Sequence, residues 1–390
     1  MKRAIVIVCD SLGVGELPDA RDFGDEGANT LGHILRDQKP NLPTLARLGL
    51  LHTLPQPATS TKPQSAYGRM AEVSAGKDTT TGHWEMMGLI VEEPFRTYPN
   101  GFPLEIIAEY ERRIGRRTLG NKPASGTVIL DELGEEHIRT GSPIVYTSGD
   151  SVFQVAAHEE VIPVQELWRI CGIARELMRG EHNVGRIIAR PFVGPGQGQF
   201  KRTANRKDFT VTPTGETVVE RVTKSGKHVI ALGKIADIFD GVGIGTEIRT
   251  ESNSDGMRRT IDLIRDSSGD FIFTNLVDFD SKYGHRNDAA GYAKALETFD
   301  AELSPLLATM HAGDLLFITA DHGCDPTDVS TDHTREYVPL LIAGPSIRNE
   351  KPLGTRTTFA DLGATICEYL GVPSRGLAGT SVLSQLGGHT

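Results

Sequence analysis

The chain has 390 residues, more than one hydrophobic core usually serves, so two domains are expected. Hydrophobic residues make up 38% and charged residues 24%, as in an ordinary globular protein. The 41 Lys and Arg residues against 51 Asp and Glu residues give a formal net charge of -10. This balance argues against a nucleic-acid partner or a membrane-binding face, both of which need a broad basic surface.

Cysteine usage and hydropathy indicate a cytoplasmic protein. Four widely spaced cysteines form no CxxC pair, which favours reduced thiols and argues against a thiolate zinc site. The apolar run at residues 4–9 is too short for a signal peptide. No stretch is apolar for long enough to cross a bilayer.

Short apolar runs predict buried strands, and amphipathic stretches between them predict helices. The runs are continuous in Val, Ile, Leu and Phe, as in parallel strands covered on both faces. The predicted strands are Ala4–Cys9, Ile187–Val193, Val229–Leu232, Phe271–Val277, Leu315–Thr319 and Val338–Ile342. The helical spacing of apolar residues predicts helices at Leu104–Ile114, Leu167–Met178 and Ala289–Leu307. This alternation predicts an α/β fold with a mostly parallel sheet flanked by helices.

Charged side chains follow several of the predicted strands. Asp10 comes directly after the first strand, Asp280 closes a later one, and Asp321 and His322 follow a third. Lys234 follows the strand at Val229–Leu232. Each Asp alone could simply cap a helix or begin a turn. Their repetition at the edge where parallel sheets bind ligands suggests one shared site.

Three segments supply carboxylates and imidazoles together: VDFDSKYGH at 277–285, TADHG at 319–323 and TDHTRE at 331–336. Their alternative interpretation is solvated loop residues. Mixed carboxylate and imidazole ligands suit Mn²⁺ or Zn²⁺. Two metals can clamp the oxygens of an in-line phosphoryl transfer. The candidate ligands are Asp10, Asp280, His285, Asp321, His322 and His333.

Five ordered motifs carry a resemblance to a known family. They read VIVCDSLGVG (6–15), GKDTTTGHWEMMG (76–88), NLVDFDSKYGH (275–285), ITADHGCDP (318–326) and TDHTREYVP (331–339). Together they closely resemble the phosphopentomutase family of the alkaline phosphatase superfamily, and the resemblance runs nearly end to end. It implies an alkaline-phosphatase-like core and two Mn²⁺ ions per chain. One ion would be held by Asp280, His285 and His333, and the other by Asp10, Asp321 and His322.

The run of three threonines at 79–81 offers candidate nucleophiles. It could equally form a helix cap and turn. By motif register, Thr79 matches the threonine that the family phosphorylates, with Thr81 second and Thr80 third. A metal that lowers the hydroxyl pKa would make the nucleophile reactive, and a following helix start would favour its phosphate.

The ligands require both ends of the chain to form one domain. Residues 96–211 lack candidate ligands but have their own helix and strand patterns, so we predict an inserted α+β cap domain there. The core domain would comprise residues 1–95 and 212–390, with the active site at the interface. Guanidinium groups bind phosphate well, and loop hydroxyls and carboxylates bind sugars. The predicted substrate-binding residues are Ser148, Asp150, Arg186, Arg202, Arg206 and Lys234.

The resemblance implies interconversion of α-ribose 1-phosphate and ribose 5-phosphate, and of the 2-deoxy forms. Phosphorylated Thr79 and a ribose 1,5-bisphosphate intermediate would carry the reaction, with glucose 1,6-bisphosphate or ribose 1,5-bisphosphate as primer. Pentose phosphates are thus the expected substrates. Two alternatives stay open. One is another phosphomutase or a phosphatase on the same core, and the other is a non-catalytic metal-binding or sugar-phosphate-binding protein.

Overall fold

The computed structural model of the protein describes residues 2–57, 59–148, 151–347 and 349–387. The chain divides into two compact units. The first combines Met1–Glu93 with Pro213–Thr390, and the second is Pro94–Thr212. The boundaries predicted from sequence lie at 95/96 and 211/212. The roles of the two units as core and cap domains stay predictions.

The strands and helices are as follows, in chain order. The strands are β1 (Arg3–Cys9), β2 (Ala66–Met70), β3 (Leu119–Pro123), β4 (Ile144–Thr147), β5 (Val152–His158), β6 (Arg186–Val193), β7 (Lys201–Arg202), β8 (Lys207–Thr210), β9 (Val229–Leu232), β10 (Thr246–Ile248), β11 (Phe271–Leu276), β12 (Asp314–Thr319), β13 (Val338–Ala343) and β14 (Lys351–Arg356). The helices are α1 (Thr30–Gln38), α2 (Pro43–Arg47), α3 (Thr79–Met86), α4 (Leu104–Ile114), α5 (Val128–Thr140), α6 (Val164–Leu177), α7 (Val218–Lys224), α8 (Ile235–Ile238), α9 (Asn253–Arg265), α10 (Ala289–Thr309), α11 (Ala360–Leu370) and α12 (Leu383–Leu386).

The first unit is built on an eight-stranded sheet in the order β10–β9–β11–β1–β12–β13–β2–β14. From β10 to β12 all neighbours are parallel, and β14 is parallel to β2. The mostly parallel α/β fold is therefore confirmed. The implied parallel pairing is wrong for β13, which runs antiparallel to both neighbours. A continuous apolar run indicates that both faces of a strand are buried. It does not indicate strand direction, which depends on the end of the sheet at which the preceding loop enters the strand.

Burial on both faces explains the composition of the central strand. Every residue of β1 is buried, because helices cover the sheet. Helix α10 packs against α1, α2 and α9, and α11 packs against α3 and α7. Arg3 is the charged exception in β1, and it forms a bidentate pair with Asp314 of β12 at 2.9 and 2.8 Å. Its remaining donors reach backbone carbonyl groups, so the buried charge is fully paired.

The second unit has a mixed sheet in the order β3–β4–β5–β6–β7, with β8 paired to β6. One hydrophobic cluster joins α4 and α6 to the sheet, and a separate cluster joins α5 to it. Helices thus bury two sets of apolar side chains against this sheet. No helix in the described ranges is both long enough and apolar enough to span a membrane.

Candidate two-metal site

Three adjacent parallel strands bring the candidate ligands to one sheet edge. β11, β1 and β12 are neighbours, and Cys9 at the end of β1 is in register with Leu276 at the end of β11. Asp10 directly follows β1, and Asp321 comes two residues after β12. Asp280 lies in a π-helical turn, Phe279–Tyr283, that follows β11. The strand-end pattern in the sequence therefore corresponds to spatial proximity.

Asp280, His285 and His333, here called the Asp280 set, form one group of potential ligands. His285 Nε2 and His333 Nε2 are 3.1 Å apart. Their distances to the carboxylate oxygens of Asp280 are 3.3 and 3.4 Å. Ligands about 2.1 Å from a common ion at tetrahedral angles lie about 3.4 Å from one another. The spacing within this set therefore fits three ligands of one ion.

Asp10, Asp321 and His322, here called the Asp10 set, form a second group beside the first. His322 Nε2 lies 3.5 Å from Asp10 Oδ1 and 3.4 Å from Asp321 Oδ2. The two sets are adjacent, because the imidazole rings of His322 and His333 stack with centroids 3.8 Å apart. All six candidate ligands therefore lie together in two neighbouring groups of three. Their role as metal ligands stays a prediction.

Backbone contacts determine which imidazole nitrogen can bind a metal. His285 Nδ1 lies 2.6 Å from the carbonyl oxygen of Thr331. His322 Nδ1 lies 2.9 Å from the carbonyl oxygen of Gly323. A carbonyl oxygen only accepts hydrogen bonds, so each Nδ1 carries the proton and donates it. Each Nε2 therefore presents a lone pair to the site, as in other proteins whose metal-binding histidines are oriented by a second hydrogen bond.

Three carboxylate oxygens provide the test of whether a cation fits. Asp10 Oδ1, Asp280 Oδ1 and Asp321 Oδ2 are buried and accept no hydrogen bond from the described part of the chain. A buried carboxylate oxygen without a donor is costly. A cation shared by these oxygens and the imidazoles would remove that cost, and this donor set suits Mn²⁺ or Zn²⁺. The residues therefore fit a pair of divalent ions.

The electrostatics of the site point to the same deficit of positive charge. Burial and the charges of Asp321 and Asp280 raise the pKa of Asp10 well above its ordinary range. Burial also opposes ionisation of Asp321, but His322 and His83 outweigh it and lower the pKa of Asp321 to about 2. Asp10 is therefore the carboxylate whose negative charge a bound metal ion would stabilise most, because two other carboxylates crowd it.

Cys324 lies close to the Asp280 set. Its Sγ is within 4.8 Å of ligand atoms of Asp280 and His285. Burial raises the pKa of the Cys324 thiol well above its ordinary value, which keeps it protonated. The thiol points to the carbonyl oxygen of Asp332 at 3.4 Å. These contacts favour packing over a thiolate ligand.

The N-terminus of α3 brings the threonine run to the Asp10 set. Asp78 caps this helix by accepting from the backbone N–H groups of Thr80 and Thr81. The Thr81 hydroxyl donates to Asp78 Oδ2 at 2.6 Å. The Thr79 hydroxyl instead lies 3.3 Å from His322 Nε2. The cap is therefore an aspartate, and of the three hydroxyl groups the one on Thr79 reaches the candidate ligands.

Close backbone approach holds α3 against the end of β12. A Cβ added at Gly82 would lie only 2.1 Å from the carbonyl oxygen of Asp321, so no larger residue fits there without movement. Ser11 adds a second constraint, since its φ of 75° is unusual for a residue other than glycine. This conformation directs the Ser11 N–H to Asp321 Oδ1 at 3.1 Å. Both features position Asp321.

Three residues around the site went unassigned in the sequence. Asn275 donates to Asp10 Oδ2 at 2.9 Å, and His83 Nδ1 lies 3.1 Å from Asp321 Oδ2. Buried Arg335 donates to carbonyl groups of Ser74 and Gly76 in the loop before α3. The spacing of His83, four residues after the candidate nucleophile on one helix, was a usable signal. Asn275 and Arg335 gave none, because their partners are distant in the chain.

The predicted substrate-binding residues lie in both units. Lys234 directly follows β9 and Gly233, at the same sheet edge as the ligands. In the second unit, Arg206 pairs with Asp208 at 2.6 Å and Arg186 approaches the same carboxylate at 3.9 Å. The remaining members of the predicted set are Arg202 in β7 and Ser148 after β4, while Asp150 lies outside the described residues.

Comparison with known proteins identifies the class first. A family model described as "Metalloenzyme superfamily" matches residues 2–374. A solved structure, the PH0037 protein from Pyrococcus horikoshii, has a TM-score of 0.51 at 15% identity and covers 97% of this chain and 99% of its own. That likeness concerns the fold. The chain is thus a member of the metalloenzyme superfamily, in agreement with its sheet and its clustered ligands.

Closer relatives define the family. A phosphopentomutase from Caldanaerobacter subterraneus is 58% identical over 99% of this chain and 98% of its own length. Another from Carboxydothermus hydrogenoformans is 56% identical over 95% of this chain and 96% of its own. The chain belongs to the phosphopentomutases, a family of enzymes. The resemblance noted from the five motifs is confirmed.

Proposed function

We propose that this enzyme interconverts α-ribose 1-phosphate and ribose 5-phosphate, and the 2-deoxy forms, through a phosphorylated Thr79. The observation that carries the proposal is the position of the Thr79 hydroxyl, 3.3 Å from His322 Nε2. Beside it lie buried carboxylate oxygens that accept no hydrogen bond from any described residue. Family membership supplies the substrate class.

The residues that would hold two Mn²⁺ ions are the Asp280 set and the Asp10 set. Bound there, the ions would supply positive charge to a transferring phosphoryl group and lower the pKa of a nearby hydroxyl. The chain itself contributes the orientation of the ligands through the Nδ1 hydrogen bonds of His285 and His322. The positive end of the α3 dipole favours a phosphate on Thr79, while the N–H groups of Thr80 and Thr81 are already bound by the Asp78 carboxylate.

The proposed reaction has two transfers. Starting from ribose 1-phosphate, the phosphoryl group leaves Thr79 Oγ1 and bonds to the 5-oxygen of the sugar, whose proton is released while Thr79 Oγ1 gains one. Ribose 1,5-bisphosphate results. After the intermediate turns around, the bond between the 1-oxygen and phosphorus breaks and that phosphoryl group bonds to Thr79 Oγ1, which loses its proton. The 1-oxygen gains a proton, and ribose 5-phosphate is released. A sugar bisphosphate, glucose 1,6-bisphosphate or ribose 1,5-bisphosphate, would first phosphorylate Thr79.

We also propose that cationic side chains bind the substrate phosphate that is not being transferred. Lys234 is the candidate in the first unit, where its charge counteracts the rise that burial causes in the pKa of Asp10. Arg186, Arg202 and Arg206 of the second unit are the arginine candidates, because guanidinium groups bind phosphate oxygens bidentately. Ser148 and Asp150 would contact the sugar hydroxyls through their own hydroxyl and carboxylate groups.

A matched pair of variants tests the nucleophile. Thr79→Val and Thr81→Val each replace a hydroxyl by a methyl group of similar size. With ribose 1-phosphate, Mn²⁺ and a trace of glucose 1,6-bisphosphate, phosphorus NMR should show ribose 5-phosphate formed by Thr81→Val and none by Thr79→Val. Mass spectrometry should find phosphothreonine in Thr81→Val alone. Mutase activity of Thr79→Val at the wild-type rate would refute the assignment, and release of inorganic phosphate instead would indicate a phosphatase.

A further inference from the structure

His83 lies beside the Asp10 set and touches it at Asp321 Oδ2, one of the three buried carboxylate oxygens named above. It is in α3, four residues after Thr79, and is fully buried. Its Nδ1 lies 2.8 Å from the carbonyl oxygen of Thr79 and 3.1 Å from Asp321 Oδ2. One ring nitrogen therefore contacts both the backbone of the candidate nucleophile and a candidate metal ligand.

The neighbours of His83 determine its tautomer. The carbonyl oxygen of Thr79 accepts hydrogen bonds and cannot donate, so Nδ1 carries the proton. Nε2 is then an acceptor, and the amide nitrogen of Asn275 lies 3.4 Å from it. The same amide nitrogen donates to Asp10 Oδ2 at 2.9 Å. Its two hydrogens thus serve His83 and Asp10, and rotating the amide would place an oxygen against the Asp10 carboxylate.

These contacts form a continuous link from Asp10 through Asn275 and His83 to Asp321 and the Thr79 backbone. The two ligands follow different strands, β1 and β12, while Asn275 belongs to β11. Asn275 holds Asp10 and His83 holds the Thr79 backbone by hydrogen bonds, and the His83 ring lies against Asp321 Oδ2 at 3.1 Å. Contacts of this kind behind a site fix the orientation of metal ligands. The Asp280 set has separate support, since its His285 is held by the carbonyl oxygen of Thr331.

We propose that His83 and Asn275 are positioning residues that set the metal affinity of the Asp10 set and the position of Thr79, leaving the Asp280 set unaffected. The inference rests on the proposed two-metal function. The competing interpretation is that His83 is a packing residue, since its ring lies 5.9 Å from that of Phe273 in the buried interior.

Two substitutions of His83 separate these interpretations. His83→Phe keeps a planar ring but removes both nitrogens. His83→Asn loses the ring but can place an amide N–H near the position of Nδ1. A packing role predicts that the phenylalanine variant behaves like wild type and the asparagine variant is impaired. A positioning role predicts that the asparagine variant behaves like wild type and the phenylalanine variant is impaired.

The measurement is a titration of the full chain with Mn²⁺, followed by electron paramagnetic resonance. In wild type we expect two ions per chain. In His83→Phe we expect one site weakened about 10–100-fold, as is typical when a partner of a metal ligand is lost, and the other unchanged. His83→Asn should restore most of the lost affinity.

Asn275→Ala is a second, independent test of the contacts between Asp10, Asn275 and His83. Because it removes atoms without adding bulk, it keeps the proposal testable if His83→Phe fails to fold. It should weaken one Mn²⁺ site in the same way, because Asp10 loses its donor. Unchanged binding at both sites in Asn275→Ala, or equal weakening of both, would overturn the inference. Fewer than two Mn²⁺ ions in the wild-type protein would instead overturn the two-metal proposal, so the two failures are distinguishable.

Discussion

Replacing Gly82 by alanine should misplace Thr79 without unfolding the protein. The added Cβ would lie 2.1 Å from the carbonyl oxygen of Asp321. Because a carbon–oxygen contact normally requires about 3.3 Å, α3 and the end of β12 must separate by roughly 1 Å. The contacting atom belongs to the backbone, so no side-chain rotation can relieve the clash.

The expected magnitudes for stability and activity differ. Overpacking costs about 1–3 kcal/mol, whereas alanine is favoured over glycine in a helix by about 1 kcal/mol, so the net loss of stability should be small. A displacement of about 1 Å at the reacting groups can lower the rate about 100-fold. We therefore expect kcat/KM of Gly82→Ala to fall about 100-fold, equivalent to about 2.7 kcal/mol of transition-state stabilisation.

Gly172→Ala is the matched control. Gly172 lies within α6, and a Cβ there would meet no atom of the described chain within 4 Å beyond its own helix backbone and adjacent residues. This variant should gain about 0.5–1 kcal/mol in free energy of unfolding and keep full activity. Phosphorus NMR measures the activity and thermal unfolding measures the stability. The reasoning is refuted if Gly82→Ala is as active as wild type and is stabilised as much as Gly172→Ala.

Two further predictions follow from buried charges. Arg335→Lys should lower the free energy of unfolding by about 2–3 kcal/mol, because lysine cannot replace the planar guanidinium that binds Glu72 and the loop before α3. Arg36→Lys on the exposed surface should change the free energy of unfolding by less than about 0.5 kcal/mol. Denaturant titration of both variants measures these changes, and equal effects of the two substitutions would contradict the prediction. Burial lowers the pKa of His333, but Asp280 outweighs it and raises that pKa to about 9. Since an imidazole must be neutral to bind a metal, Mn²⁺ binding should release a proton from His333 at pH 7, and affinity should rise with pH until about pH 9. Calorimetry in buffers of different ionisation enthalpy measures this proton release, and its absence would show that His333 is already neutral.

The sequence predicted the features that depend on local pattern. The continuous apolar runs identified β1, β9, β11 and β12 to within about one residue, because buried strands of a parallel sheet need apolar side chains on both faces. Charged residues directly after such strands then indicated a shared site, since the carboxyl ends of neighbouring parallel strands meet at one edge. The five motifs were enough to identify the family.

Tertiary structure decided what the local pattern does not encode. The antiparallel direction of β13 follows from the path of its preceding loop, which leaves no mark on the hydropathy of the strand. The contacts of Asn275 with Asp10 join residues 265 positions apart in the chain, and those of Arg335 with Glu72 join residues 263 apart. Only the folded chain brings such groups within hydrogen-bond distance. The sequence alone therefore supplied the candidate ligands and the candidate nucleophile, whereas the structure revealed the groups that contact them.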